Sequence, residues 1–167
     1  MQSGSNLFNH DHNTAIVSPG NGEQIIRISN PDGGFTREIA WLIENQIYSE
    51  TEKNFGEKNI EAMKMNQDSG LVLECIRVSQ VNELLGAAVI SRVGCSDGVV
   101  YLYELAVQKE SRRKGVGSKL ATAAMQLARG RDARKMVLYP KHDAVGFYQK
   151  LGFELIGSSG PGMEIEL

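Results

Sequence analysis

A strand-like run, a basic turn with two glycines and a helical pattern follow one another in residues 104–130, and this succession most constrains the fold. The segment reads ELAVQKESRRKGVGSKLATAAMQLARG. One apolar helix face is predicted from the spacing of Val116, Leu120, Ala123, Ala124 and Leu127. Gly130 is placed to end that helix. A strand followed by such a helix and then by a second strand predicts a right-handed crossover that joins two parallel strands.

The turn between strand and helix has the properties of an anion-binding site. A helix N-terminus leaves backbone N–H groups unpaired and carries partial positive charge. Gly115 and Gly117 allow a ligand to approach the backbone, and Ser118 adds a hydroxyl. Fixed positive charges come from Arg112, Arg113 and Lys114. These residues favour a polyphosphate ligand, and the structural alternative is a solvated basic turn.

Composition limits the class of protein and its partners. The chain has 167 residues, of which 41% are hydrophobic and 23% charged, and this is enough for one buried core. A net charge of -2 gives no basic field, so we expect neither nucleic acid nor a membrane as partner. Cys75 and Cys95 lack metal-ligand spacing, and we expect no metal. No apolar run has the length of a bilayer span, which predicts a cytoplasmic protein.

The order of the predicted elements indicates an α/β (α+β) domain. Residues 1–22 lack periodicity and predict a disordered tail, and residues 23–167 predict a single domain. Strands are predicted at 24–29, 71–79, 84–93, 99–107, 135–140, 153–157 and 162–167, and helices from Thr36, at 57–65, from Val116 and at 143–152. The order β-α-α-β-β-β-α-β-α-β-β predicts a mixed, mostly antiparallel sheet with helices on both faces.

Two motifs resemble those of the GNAT family of N-acetyltransferases. RRKGVG, residues 112–117, matches Arg/Gln-x-x-Gly-x-Gly/Ala, the family's coenzyme A pyrophosphate motif, and LAV precedes it at the usual distance. GFYQKLGF, residues 146–153, resembles the family's tyrosine-containing helix and its Gly-Phe ending. With the element order, the resemblance spans about residues 24–167. It implies a GNAT-like fold, acetyl-CoA as cosubstrate, no metal, and a small-molecule or peptide amine as acceptor.

The resemblance also implies where the cofactor lies. The strand ending at Val107 would splay from the strand at 136–139, and the pantetheine arm would enter the gap and pair with backbone at Leu105, Ala106 and Val107. The pyrophosphate would lie on the turn, with contacts from Arg112, Arg113, Lys114, Gly115, Val116, Gly117 and Ser118. One departure is Lys141, which stands where many relatives have an asparagine that contacts the cofactor. His142 follows it and is interpreted as a surface residue.

Two side chains are the candidates for catalysis. Tyr148 matches the family's general acid, which protonates the departing thiolate; the alternative is a core tyrosine. Glu104 can attract an ammonium and accept its proton, although simple alternation places it with Leu102 and Ala106, and a solvent-facing glutamate is the alternative. A backbone N–H at Leu105 or Ala106 is the candidate for oxyanion stabilisation.

The sequence alone leaves open which amine is the acceptor and whether the protein catalyses a reaction. Tyr101 and Tyr103 are candidates for lining an acceptor pocket, and core or sheet-surface tyrosines are the alternative. The segment at 46–59 is expected to determine the substrate. The predicted function is amine acetylation by direct attack on acetyl-CoA, and the alternative is a non-catalytic acyl-CoA-binding regulatory module. The sequence leaves a homodimer open.

Overall fold

The computed structural model describes residues 15–17, 23–29, 73–80, 83–91, 97–157 and 160–167, with side chains from residue 83 onward. The strands of this part are β1 (Ala15–Val17), β2 (Glu23–Ser29), β3 (Leu73–Gln80), β4 (Glu83–Ser91), β5 (Val99–Val107), β6 (Lys135–Leu138), β7 (Glu154–Leu155) and β8 (Met163–Glu166). Its helices are α1 (Val116–Arg129) and α2 (Val145–Lys150), and single 3₁₀ turns lie at Lys109–Ser111 and His142–Ala144.

The strands form one eight-stranded sheet in the order β1-β2-β3-β4-β5-β6-β8-β7. Its neighbours pair antiparallel except β5 and β6, which are parallel and joined through α1. The predicted mixed, mostly antiparallel sheet is therefore confirmed. Among the described residues, no helix combines the length and the apolar character needed to cross a bilayer.

The predicted elements differ from the observed ones mainly near the N-terminus. All seven predicted strands are present, with ends that differ by at most two residues. The additional strand β1 pairs with β2 and lies within residues 1–22, whose other residues are outside the described part of the chain, so the tail boundary stays a prediction. The helices predicted from Thr36 and at 57–65 lie outside the described residues, as does the segment at 46–59.

Helix α1 lies close to strand β4 because Gly86 has no side chain. A Cβ atom at Gly86 would lie 2.8 Å from the carbonyl oxygen of Ala106 and 3.0 Å from the Leu120 side chain. The apolar face of α1 and the second helix α2 pack on the same face of the sheet. The largest fully buried side chains include Ile90, Leu120, Leu127, Met136, Leu138 and Met163. This core fixes the N-terminus of α1 beside the end of β5.

A β-bulge in β5 reverses which face each later residue of the strand occupies. Leu102 pairs with Ile90, whereas Glu104 pairs with Val89, so Tyr103 is the inserted residue. Leu102 and Ile90 belong to the core on the helix side. Because adjacent residues of β4 point to opposite faces, Glu104 points away from that core. The predicted grouping of Glu104 with Leu102 is therefore wrong, and the bulge is the reason.

Strand β5 pairs with β6 only over its first half, whereas β6 is paired over its whole length. Their parallel register runs from Val99 opposite Lys135 to Leu102 opposite Leu138 and goes no further. β5 continues to Val107, and along this second half it pairs with β4 alone. The predicted splay between the two strands is thus present and begins at the bulge. Polar backbone groups of β5 face the resulting gap.

Gly86→Ala tests the close approach of α1 to β4. We expect it to lower the free energy of unfolding by about 1–3 kcal/mol, because the added methyl overpacks a contact that involves backbone. Gly146→Ala is the control, since a Cβ atom there meets nothing within 4 Å. Urea unfolding should show Gly146→Ala as neutral or slightly stabilising. Equal effects of the two variants would contradict the packing described above.

Candidate active site

A cleft of about 670 Å³ opens where β5 and β6 part. Three segments line it: residues 103–107 of β5, the turn at 112–118, and the stretch from Tyr139 to Tyr148. Most predicted site residues therefore meet in one cavity. Among them, Lys114 and Val116 do not contribute to its lining. Lys114 is exposed, and the Val116 side chain is 2% exposed and packs in the core.

The N-terminus of α1 forms one end of the cleft. Gly115 adopts the left-handed conformation at φ +84°, and no side chain caps the helix there. Lys119 donates the first intrahelical hydrogen bond, to the carbonyl of Gly115. The backbone N–H groups of residues 116–118 consequently lack a capping side chain, and the first turn contains no acidic residue. No acidic side chain of that turn neutralises the partial positive charge at this end of the helix, and the helix end is therefore suited to bind an anion.

Two arginines add positive charge beside that helix end. The Arg112 Nε donates a hydrogen bond to the carbonyl oxygen of Val107 at 3.2 Å, which ties its guanidinium to the end of β5. Arg113 has φ +64°, a left-handed conformation that costs a non-glycine residue about 1–2 kcal/mol. Both residues line the cleft. The turn thus places two positive side chains at the cleft, and the backbone of Arg113 is strained there.

The two glycines of the turn have different roles. Nothing lies within 4 Å of a Cβ atom placed on Gly115, so that residue is required for its left-handed backbone and leaves open space. A Cβ atom on Gly117 would lie 3.3 Å from the Phe147 ring. Gly117 is predicted from the sequence to allow close approach of a ligand. In the structure it also allows α2 to pack against the start of α1.

Backbone direction in β5 determines which groups face the gap. Gln108 donates its N–H to the carbonyl of Leu85 in β4, so alternation directs Ala106 to β4 as well. Leu105 and Val107 therefore direct their N–H and C=O groups into the gap, as the Arg112 hydrogen bond to Val107 indicates. The expectation that Ala106 pairs with the cofactor or stabilises an oxyanion through its backbone is not supported, because its backbone faces β4.

Tyr148 lies on α2 between the core and the cleft. Its side chain is 8% exposed and makes edge contacts with the rings of Phe147 and Phe153, at centroid distances of 4.9 and 5.6 Å. It also lines the cleft. Burial, with a smaller contribution from the negative charge of Glu104, raises the pKa of Tyr148 to about 12. The phenol is therefore protonated at neutral pH. Tyr148 packs in the core and also lines the cleft, so the two alternatives offered by the sequence are both present.

Glu104 approaches the same space from the other face of the sheet. It is half-buried, lines the cleft and lies near enough to affect the pKa of Tyr148. The bulge at Tyr103 directs its side chain away from the helix-side core. Glu104 and Tyr148 consequently meet through the opening between β5 and β6.

Sequence reasoning missed part of the opposite wall. Tyr139, Pro140, Asp143, Ala144 and Phe147 line the cleft, as does Lys141, whereas His142 and Tyr101 do not. One signal could have revealed Tyr139, because extending the Leu102–Leu138 pair by one residue brings it level with Tyr103. Among described residues, no group of three or more His, Cys, Asp or Glu side chains is placed to hold a metal ion.

Comparison with known proteins identifies the family. The model of the acetyltransferase (GNAT) family matches residues 36–153, so the chain belongs to that family, whose enzymes use acetyl-CoA as cosubstrate. The predicted family membership and GNAT-like fold are confirmed. A search of curated proteins finds no match.

Solved structures with the same fold share little sequence with this chain. A GNAT family acetyltransferase from Brucella melitensis, in complex with acetyl-CoA, is 19% identical, with a TM-score of 0.67, covering 87% of this chain and 88% of that one. The PaiA N-acetyltransferase of Thermoplasma acidophilum, in complex with coenzyme A, is 20% identical, with a TM-score of 0.66 and coverage of 86% and 99%. GCN5 of Tetrahymena is 12% identical, with a TM-score of 0.62 and coverage of 80% and 86%.

Gly115→Ala tests the turn as an anion site. A Cβ atom at a left-handed position costs about 1–2 kcal/mol, and relief of that strain would reorient the N–H groups of α1. We expect acetyl-CoA affinity, measured by calorimetry, to fall about tenfold or more. Gly157→Ala is a matched control, because Gly157 has φ +68°, open surroundings and no place in the cleft. The same loss of affinity in both variants would exclude a specific role for the turn.

The raised pKa of Tyr148 predicts a loss of stability in alkaline solution. Below pH 10, the ordinary tyrosine pKa, both folded and unfolded states hold the proton, and the contribution is fully present. It is lost as pH rises toward the folded pKa of about 12. The total loss is about 3 kcal/mol. Urea unfolding from pH about 9.5 to 11.5 should fall less steeply for Tyr148→Phe than for wild type; parallel curves would contradict the raised pKa.

Proposed function

We propose that this protein transfers an acetyl group from acetyl-CoA to a primary amine by direct attack of the amine on the thioester. One observation carries the proposal: a single cleft joins an uncapped, arginine-flanked helix N-terminus to a buried tyrosine and a carboxylate. The Brucella and Thermoplasma structures, which contain acetyl-CoA and coenzyme A, support the choice of cofactor.

The turn would hold the pyrophosphate of the cofactor. Backbone N–H groups at residues 116–118 are donors without a capping side chain, and the Ser118 hydroxyl lies in the cleft lining. Arg112 and Arg113 supply charge-assisted hydrogen bonds to phosphate oxygens. Lys114, exposed and outside the cleft lining, contributes long-range attraction only.

The pantetheine arm would lie along the open side of β5. An extended chain with amide groups can add to a strand edge by pairing with its backbone, as a peptide does. Leu105 and Val107 are the residues whose N–H and C=O groups face the gap, although the Val107 carbonyl already accepts from Arg112. We assign the Leu105 N–H to the thioester oxygen, where it stabilises the negative charge that develops as the amine attacks.

Glu104 would prepare the acceptor. An alkyl amine with a pKa of about 10.4 is neutral in roughly one part in a thousand at about pH 7.4, a deficit of about 4 kcal/mol. The Glu104 carboxylate attracts the ammonium and accepts its proton, directly or through water. The neutral amine nitrogen then forms a bond to the thioester carbon, and the carbon–sulfur bond breaks. The second proton of that nitrogen passes to the departing thiolate, which leaves as the thiol of coenzyme A.

Tyr148 would stabilise the departing thiolate by hydrogen bonding. The thiol has a pKa of about 8.5 by analogy with cysteine, well below that of Tyr148, so complete transfer of the phenol proton is uphill by about 5 kcal/mol. A donated hydrogen bond avoids this cost. When Glu104 takes up a proton from the amine, it loses the charge that contributes to the high pKa of Tyr148. The phenol thereby becomes a better donor as the thiolate forms.

Tyr148→Phe separates catalysis from cofactor binding. We expect kcat for thiol release with an accepted amine to fall about 10²- to 10³-fold, the loss typical of one positioned donor, while acetyl-CoA affinity stays nearly unchanged. The ring contacts of Tyr148 with Phe147 and Phe153 remain possible in the variant. A thermal melt establishes that it is folded.

Ser91→Ala is the control for stability. Ser91 is buried, and its hydroxyl accepts the Tyr101 N–H at 2.9 Å, away from the cleft. Removal of the Ser91 hydroxyl should lower the free energy of unfolding by about 1–3 kcal/mol without lowering kcat. Wild-type turnover in Tyr148→Phe would disprove the assigned role. A folded wild type that binds acetyl-CoA yet acetylates no amine would support the non-catalytic regulatory module instead.

A further inference from the structure

Two exposed tyrosines frame the end of the cleft that contains Glu104. Tyr103 is 50% exposed and Tyr139 is 68% exposed, and both belong to the cleft lining. They follow Leu102 and Leu138, the last paired residues of β5 and β6, and so come from opposite sides of the gap. The phosphate-binding turn lies on a different segment of the lining. These rings are therefore placed where an acceptor, rather than the cofactor's phosphates, enters.

Both rings are held by the fold. Tyr103, the bulge residue, stacks on Tyr101 with a centroid distance of 6.1 Å and an interplanar angle of 30°. Tyr139 lies over Gly162, since a Cβ atom there would be only 3.1 Å from its ring. The absence of a side chain at Gly162 thus gives Tyr139 its position beside the cleft. Fixed rings lose little conformational entropy when a ligand binds between them.

The charges around the two rings favour a cation. Aromatic faces attract alkylammonium groups and repel carboxylates, and Glu104 has the same preference. On the wall that carries Tyr139, Lys141 and Asp143 have opposite formal charges, so the formal charges of this wall sum to zero. The Arg112 guanidinium is tied to the end of β5, beside the turn. The acceptor end therefore presents one carboxylate and two ring faces.

We propose that Tyr103 and Tyr139 select an extended alkylamine that carries a second positive charge and has no carboxylate. The reacting nitrogen lies beside Glu104, and the carbon chain and second ammonium lie against the two rings. This inference rests on the proposed function, because it assigns the acceptor class of the same reaction. The inference assigns acceptor specificity to residues outside the segment at 46–59, although the sequence predicts that this segment determines the substrate.

Three acceptors of equal chain length test the class. Diaminobutane, butylamine and γ-aminobutyrate differ only in the group at the far end, which is cationic, neutral or anionic. Thiol release with saturating acetyl-CoA should give kcat/KM in that order, with the diamine at least about tenfold above the amino acid. Equal values, or a preference for γ-aminobutyrate, would overturn the proposal while leaving amine acetylation intact.

Ring substitutions test the two tyrosines. Tyr103→Leu and Tyr139→Leu should each raise KM for diaminobutane about 3- to 10-fold. In both variants we expect kcat and the KM for acetyl-CoA to be nearly unchanged. The corresponding Phe variants retain the ring and should retain most of the affinity. Leu155→Ala, on an equally exposed side chain of β7 outside the cleft, is the control and should change neither constant. Equal effects of Leu and Phe at both positions would exclude recognition by the rings.

Gly162→Ala provides a variant that leaves both rings in the sequence. Its methyl group would lie 3.1 Å from the Tyr139 ring and shift it, and we expect a rise in KM for diaminobutane that is smaller than in Tyr139→Leu. An unchanged KM in this folded variant would show that the position of Tyr139 does not matter and would count against the proposal.

A binding measurement decides the inference even if transfer is absent. Calorimetric titration of diaminobutane and of γ-aminobutyrate into the coenzyme A complex should detect tighter binding of the diamine. If the wild-type protein acetylates no amine, the proposed function fails. The acceptor preference is then confirmed or refuted by this titration alone.

Discussion

The early end of pairing between β5 and β6 is the constraint on which the site depends. Buried backbone N–H and C=O groups must find partners, so a strand that leaves its neighbour inside a sheet creates a demand for an extended ligand. Leu102 and Leu138 form the last pair, and Leu105 and Val107 direct their polar groups into the gap. The same parting brings the start of α1 to the end of β5. The geometry of the sheet therefore determines where an extended cofactor can bind.

An open sheet also allows chemistry from both faces to meet. Tyr148 comes from the helix side, packed among aromatic rings, whereas the bulge turns Glu104 to the opposite side. In a closed sheet the backbone would separate them. Here the negative charge of Glu104 adds to the effect of burial in raising the pKa of Tyr148, as expected for two side chains that line one cleft. Donor and acceptor can thus approach a common point from different directions.

Local patterns predicted the elements well, and long-range contacts account for what was missed. The span of β5 was predicted correctly, because its composition and its flanking turns are local signals. The bulge was not, since Tyr103 carries no mark that distinguishes an inserted residue from a paired one. The contact of Gly117 with Phe147 joins two helices that are distant in sequence, and no single motif predicts it. The motifs identified the phosphate end, and only the fold located Tyr139 beside Glu104.

The position of β8 has a consequence for the order in which the sheet is assembled. β8 is synthesised after β7 yet lies between β7 and β6. Until residues 163–166 emerge, one side of β6 presents unpaired backbone, which is the kind of edge that recruits wrong partners. Strand β6, which Tyr139 directly follows, therefore acquires its second neighbour last, and a chain in which β8 has not yet paired exposes that edge. Pairing of β8 with β6 is thus the contact that closes this edge of the sheet.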